Sequence, residues 1–221
     1  MPEVLMAVAL GYLLGSISGS LLLGRLRDID IRQLGSGNAG GTNALRTVGW
    51  RFALGVVLID VGKGIVAAGL APAIVALVLP VNMDLASLAA AAGLAAVLGH
   101  VWPVYFRFRG GKGAGTAVGV VAIVAPWCLA PLLLVWVVTI LGTGYVGLAT
   151  VLAGLSLVPA MWLLGPDPVP PALGGLAIAL AVLLIYTHRG NLARLLSGSE
   201  HRFDKVRLMR RRKNHRSSNE P

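Results

Sequence analysis

Long apolar runs with almost no charge, each ending where arginines or lysines begin, decide what this chain can fold into. Residues 4–24, 53–75, 84–102, 146–164 and 172–188 are close to the ~20 residues that an α-helix needs to cross ~30 Å of hydrocarbon. A soluble domain is about 25% charged; this chain is 13% charged and 56% hydrophobic, with a mean hydropathy of +0.79. The expectation is an all-α integral membrane protein. Residues 114–142 read either as one long tilted helix or as two short ones broken near Pro126 and Pro131.

The basic residues choose between these. Apart from Lys63, every Lys and Arg falls in one of three segments: 25–51, 107–112 and 189–216. Cations collect on the cytoplasmic side of a membrane, and the three segments share one side only if 114–142 crosses twice. The spans then number seven, at 4–24, 53–75, 84–102, 115–127, 128–142, 146–164 and 172–188, with the N-terminus outside and the C-terminus in the cytoplasm. The net charge of +10 is accounted for by this asymmetry and by anionic headgroups, so no nucleic-acid partner is expected. No basic segment precedes the first run, so no cleavable signal is expected. One integral domain, 1–196, is expected to be followed by a basic, disordered tail, 197–221. A single cysteine, Cys128, excludes a disulfide or a multi-cysteine metal site within the chain.

Polar chemistry is confined to a few short stretches. Residues 35–46 read Gly-Ser-Gly-Asn-Ala-Gly-Gly-Thr-Asn-Ala-Leu-Arg. Small residues leave backbone N–H groups open, and Arg46 adds a fixed cation, which together suit an oxyanion. Gly99-His100-Val-Trp-Pro103 leads into Gly110-Gly111-Lys112-Gly113, again glycines around a cation. The next apolar run begins at once, so this loop is expected to abut a helix N-terminus, which favours anions. It is not a Walker loop, because Gly113 stands where Ser or Thr is required. His188 and Asn191 lie where the last run meets the basic segment. Asp60 and Lys63, three apart inside the second run, need each other as partners in hydrocarbon. The histidines lack metal-ligand spacing, so neither metal nor cofactor is expected. A transporter of phosphorylated metabolites would share the cations, but it typically carries internal repeats and broken helices at mid-membrane, which this sequence does not show.

Taken together, these stretches resemble the bacterial membrane glycerol-3-phosphate acyltransferases that use acyl phosphate as donor. The family's first motif, approximately G-S-G-N-P-G-A-T-N-x-x-R, matches residues 35–46. Its second, G-H-x-x-P-V-x-x-x-F-x-G-G-K-G, matches residues 99–113. Its third matches His188, Asn191, Arg194 and Leu195, and the Asp60–Lys63–Gly64 element matches as well. Ala39 replaces the usual proline, Gly41 the usual alanine, Thr187 a usual basic residue and Gly190 an acidic or polar one. Gly147 stands where the family often has serine.

The resemblance implies acyl transfer from acyl phosphate to glycerol 3-phosphate at the cytoplasmic face of a bacterial inner membrane, with membrane lipids around it. It also suggests a soluble partner that makes the acyl phosphate. Ser36, Gly37, Asn38 and Thr42, with Gly111, Gly113 and His100, are expected to bind phosphate. Arg46 and Lys112 would neutralise the two phosphates; Asn43, His188 and Asn191 would position glycerol 3-phosphate; Asp60 and Lys63 would support the site. The hydroxyl proton would go either to His188 or to the donor's own phosphate. The donor is already an activated mixed anhydride, so no covalent acyl-enzyme is required, and no Gly-x-Ser-x-Gly elbow is present.

Overall fold

The computed structural model describes residues 1–203. All its regular structure is helical: α1 (Pro2–Gly15), α2 (Gly19–Arg25), α3 (Gly41–Thr47), α4 (Trp50–Val78), α5 (Leu85–Val101), α6 (Ala114–Val124), α7 (Leu129–Thr143), α8 (Val146–Leu164) and α9 (Pro171–Leu196), with three single 3₁₀ turns between them. Five helices have the length and apolarity of a membrane span, and α1 with α2 makes a sixth, bent by 47°. The first run was expected to be a single span over 4–24. It breaks at residues 16–18, where the carbonyl of Ile17 and the N–H of Gly19 turn to buried side chains on α4.

The 114–142 run divides, as the charge pattern requires. α6 ends before Pro126, a 3₁₀ turn crosses Pro126–Cys128, and α7 returns. At 11 residues, α6 rises only about 16 Å, half the hydrocarbon thickness. Gly113, before α6, and Gly144, after α7, nonetheless lie at the same end of the bundle, because Lys112 bonds Asn191 and Gly144 accepts from Phe203.

Small residues set how closely the helices approach. Gly11 and Gly15 on α1 lie directly against the backbones of Ala92 and Ala96 on α5. Gly64 on α4 and Gly119 on α6 do the same to each other's helices. The principal core joins α5, α6, α8 and α9 through Val97, Val120, Leu157, Met161 and Leu180. A separate cluster at the far end, Ala7, Ala71, Val75, Leu88 and Ala92, puts the N-terminus of α1 opposite the basic segments. α7 exposes Leu133, Leu134, Val137 and Val138, as a lipid-facing helix should.

Residues 197–203 do not leave the bundle. They turn back over its basic end, where Arg202 Nε donates to the Thr143 carbonyl (2.9 Å) and the Phe203 N–H to that of Gly144 (2.9 Å). Two local hydrogen bonds, from Ser199 and Glu200 to the Arg194 carbonyl, make the turn. The rest of the expected tail, 204–221, lies outside the described residues.

Candidate active site

Four segments converge at the basic end of the bundle: the α2–α3 loop, the α5–α6 loop, the end of α9 and the returning segment 197–203. The α2–α3 loop turns through the left-handed region at Gly35 (φ +55°) and Gly37 (φ +72°), which glycine does at little cost. Asn43 staples it. Nδ2 donates to the carbonyls of Ile31 (3.1 Å) and Leu34 (2.9 Å), and Oδ1 accepts from the Ser36 N–H (3.0 Å). Asn43 borders the cavity, but its amide is engaged within the loop, so it shapes the edge that carries Ser36, Asn38 and Thr42. Gly37 supplies the turn and does not line the cavity.

Arg46 ends this edge. Its guanidinium stacks on the ring of Phe203 (4.6 Å), and its buried Nε has no hydrogen-bond partner among the described residues. A buried cationic donor without a partner is costly, and an anionic substrate would satisfy it.

In the α5–α6 loop, Gly113 (φ +88°) caps α6, and Ala114 and Gly115 of its first turn face the cavity. Gly111 lies beneath, packed against His100 and the Ala39 carbonyl. Lys112 Nζ donates to Asn191 Oδ1, and the Lys112 carbonyl accepts from Thr187 Oγ1 (3.0 Å). Thr187, one of the departures from the family pattern, therefore holds the loop from α9. Burial first, then the Arg194 and Arg46 cations, push the Lys112 amine down to about 8, with Glu200 opposing them.

On α9, His188 is 5% exposed, and its Nδ1 lies 2.9 Å from the Leu184 carbonyl. A carbonyl only accepts, so Nδ1 carries a proton, and in the neutral ring Nε2 keeps a lone pair. Asn191 rests on Gly147, where a Cβ would come within 2.7 Å of it. Asn191 Nδ2 donates to Glu200 Oε1 (2.7 Å), and Arg194 Nε to Glu200 Oε2 (2.8 Å). A relay Lys112–Asn191–Glu200–Arg194 thus closes one side of the site.

Beneath the second loop lies a buried trio. Asp60 Oδ1 is 3.1 Å from Lys63 Nζ, which is 2.7 Å from His100 Nδ1. Lys63 also donates to the Ile17 carbonyl (2.9 Å), and Asp60 accepts from the Gly19 N–H (3.0 Å). These bonds pin the α1–α2 break to α4 and α5.

The cavity enclosed by these groups has a volume of about 430 Å³. Its mouth is lined by Ser36, Arg46, Lys112, His188, Asn191 and Arg194, and its depth by Val118, Leu132, Trp136, Leu157 and Leu180. Arg46, Lys112, His188 and Asn191, which the sequence pointed to from three separate stretches, line this one cavity. The sequence pointed to no role for Glu200, Phe203 or Thr187, and to Arg194 only as part of a motif. The available signal was that Glu200 is the first carboxylate after Asp167, set within the basic segment 189–216.

Fold and cavity together define a polytopic membrane protein with one cavity lined by both cationic and apolar side chains. The comparisons with known proteins make this specific. The family model described as glycerol-3-phosphate acyltransferase matches residues 5–198. A glycerol-3-phosphate acyltransferase of Shouchella clausii is 44% identical over 208 residues, covering 92% of this chain and 97% of its own length. One from Aquifex aeolicus is 39% identical over 201 residues, covering 91% and 100%. The crystal structure of PlsY (YgiH), an integral membrane glycerol 3-phosphate acyltransferase, in its glycerol 3-phosphate form superposes with a TM-score of 0.81 at 37% identity, covering 92% of this chain and 96% of that one. Its lysophosphatidic acid form gives 0.78 at 38%, covering 90% and 95%. The chain belongs to the glycerol-3-phosphate acyltransferase family.

Proposed function

We propose that this protein transfers a fatty acyl group from acyl phosphate to glycerol 3-phosphate, releasing inorganic phosphate and 1-acylglycerol 3-phosphate. The observation that carries this reading is the cavity itself: two cations, Arg46 and Lys112, at a mouth that opens into an apolar depth. The relatives' acceptor, glycerol 3-phosphate, and the product form of the related crystal structure fit that shape. The basic face is the cytoplasmic one, by the positive-inside rule.

Arg46 and Lys112 neutralise the two phosphates and hold them close. Ser36, Asn38 and Thr42, with the first N–H groups of α6 at Gly113, hold phosphate oxygens. Asn191 and His188 place the glycerol hydroxyl against the acyl carbon. The hydroxyl oxygen forms the new C–O bond, the bond from the acyl carbon to the phosphate oxygen breaks, and phosphate departs with its electrons. The proton passes to His188 Nε2, which holds a lone pair, or to the departing phosphate. The fatty chain lies among α6, α7, α8 and α9. A soluble enzyme supplying acyl phosphate would approach this same face.

The test is phosphate release from a long-chain acyl phosphate by purified protein, with and without glycerol 3-phosphate. Release should require glycerol 3-phosphate and match lysophosphatidic acid formed. Lys112→Ala should lower kcat/KM by at least ~10- to 100-fold, the value of one or two charge-assisted hydrogen bonds. Near-normal turnover in that variant would overturn the phosphate-clamp reading.

A further inference from the structure

The buried trio can be assigned proton by proton. A lysine ammonium has three protons to donate, and three acceptors surround Lys63 Nζ: the Ile17 carbonyl at 2.9 Å, His100 Nδ1 at 2.7 Å and Asp60 Oδ1 at 3.1 Å. An alkyl amine holds a proton far more tightly than an imidazole, and a carboxylate far less tightly than either. Lys63 therefore keeps all three protons, and His100 Nδ1 accepts one of them. Asp60 remains a carboxylate, since it also accepts from the Gly19 N–H. With Nδ1 an acceptor, the ring proton of a neutral His100 sits on Nε2.

That nitrogen has somewhere to point. His100 is 3% exposed, yet it borders the cavity. Its ring edge lies against the bare Cα of Gly111, where any Cβ would meet Nε2 and Cε1. The Gly111 N–H donates to the His100 carbonyl (3.1 Å), so loop and ring move as one. Among the described residues Nε2 has no acceptor, while Nδ1 has Lys63 Nζ as its donor at 2.7 Å, nearer than Asp60 Oδ1 at 3.4 Å. An N–H without a protein acceptor, on a buried ring that borders a cavity, can find one on the substrate.

We infer that Lys63 and Asp60 lock His100 as the Nε2–H tautomer, and that this N–H donates to the acyl carbonyl oxygen, where negative charge develops during transfer. The donor is neutral, so it stabilises the oxyanion without adding a third cation to a mouth that already holds Arg46 and Lys112. His188 has the opposite arrangement: its Nδ1–H is tied to the Leu184 carbonyl, and Nε2 accepts. The two histidines thus present a donor and an acceptor at the same ring position, and each role is set by what holds the other nitrogen. His100 would be a catalytic residue, with Lys63 and Asp60 its positioning residues. The choice of acyl carbonyl rests on the acyl-transfer reading; the tautomer does not.

The test has a spectroscopic and a kinetic part. In full-length protein carrying ¹⁵N-histidine in detergent micelles, long-range ¹H–¹⁵N correlations distinguish the tautomers, and the His100 signals are those lost in His100→Gln. The expected spectrum is Nε2–H with bare Nδ1 from about pH 6 to 8, the range in which a free imidazole titrates. An Nδ1–H or doubly protonated ring would overturn the assignment. Lys63→Met should change the His100 tautomer; an unchanged spectrum would refute the lock. In the kinetic part, Gln places an amide nitrogen near the ε position and Asn near the δ position. Since losing one oxyanion donor costs ~10²–10³ in kcat, His100→Gln should retain at least ~10-fold more kcat than His100→Asn. Equal or reversed activities would refute the donor role even if the spectrum agrees. The spectrum is read without either substrate, so its failure is distinguishable from failure of the acyl-phosphate reading.

Discussion

Glu200→Gln is the most revealing single change, because it alters charge at nearly constant shape. Glu200 accepts from Asn191 Nδ2 and Arg194 Nε, and it is the carboxylate that opposes the fall in the Lys112 pKa. One amide separates Lys112 from Glu200. Charges so bridged interact by about 1 kcal/mol at an effective dielectric between protein and water, which corresponds to nearly one pH unit in Lys112. Lys112 titrates at about 8, and it binds phosphate only when protonated, below that value. In wild-type enzyme kcat/KM for glycerol 3-phosphate, which reports the free enzyme, should therefore fall as pH rises through about 8. In Glu200→Gln the same fall should begin nearly one unit lower. The glutamine oxygen can satisfy one of the two donors but not both, so the plateau should also drop by about 1–2 kcal/mol, roughly 5- to 30-fold. Initial rates of phosphate release from pH 6.5 to 9.5, a window of about 1.5 units either side of the Lys112 value, measure both effects. A plateau that drops while the alkaline limb stays put would show that Glu200 acts only as a strut. A limb that moves upward would refute the electrostatic reasoning.

Three further outcomes are expected. Asn43→Ala removes three hydrogen bonds inside the α2–α3 loop and should cost about 2–3 kcal/mol at ~1 kcal/mol each, read as a lower midpoint in thermal unfolding in detergent. Lys63→Met leaves Asp60 buried without its counterion and should destabilise by about 3–5 kcal/mol, whereas the double variant with Asp60→Asn should recover much of that; equal midpoints for the single and double variants would count against the ion pair. In His188→Ala the residual rate loses its acid limb if Nε2 takes the hydroxyl proton, and keeps the wild-type profile if the donor phosphate does.

The sequence makes the membrane class and the convergence of three polar stretches legible because both rest on unambiguous signals. Long apolar runs have few alternatives to spanning helices, and cation placement orders them. Even the division of 114–142 follows from where Lys112 and the arginines lie. The break at residues 16–18 was not legible, because no proline or charge marks it; its cause is Lys63 and Asp60, more than 40 positions away in sequence. For the same reason Asn43 reads as a substrate ligand in sequence and proves to be a loop staple: the carbonyls it bonds become neighbours only after the loop closes. Glu200 and Phe203 were hidden because the basic composition of 197–221 suggested a solvated tail. Composition does not reveal that the first turn after α9 folds back onto Arg46.

The proposed function turns on the donor being an acyl phosphate, held by its phosphate beside that of glycerol 3-phosphate. The most direct measurement offers purified protein the same fatty chain as acyl phosphate, as acyl-CoA and as a thioester of acyl carrier protein, each with glycerol 3-phosphate, and counts lysophosphatidic acid formed. Product should form from acyl phosphate with one phosphate released per acyl group transferred, and essentially none from the thioesters. Turnover with either thioester at a comparable rate, or phosphate release without lysophosphatidic acid, would contradict the proposed function.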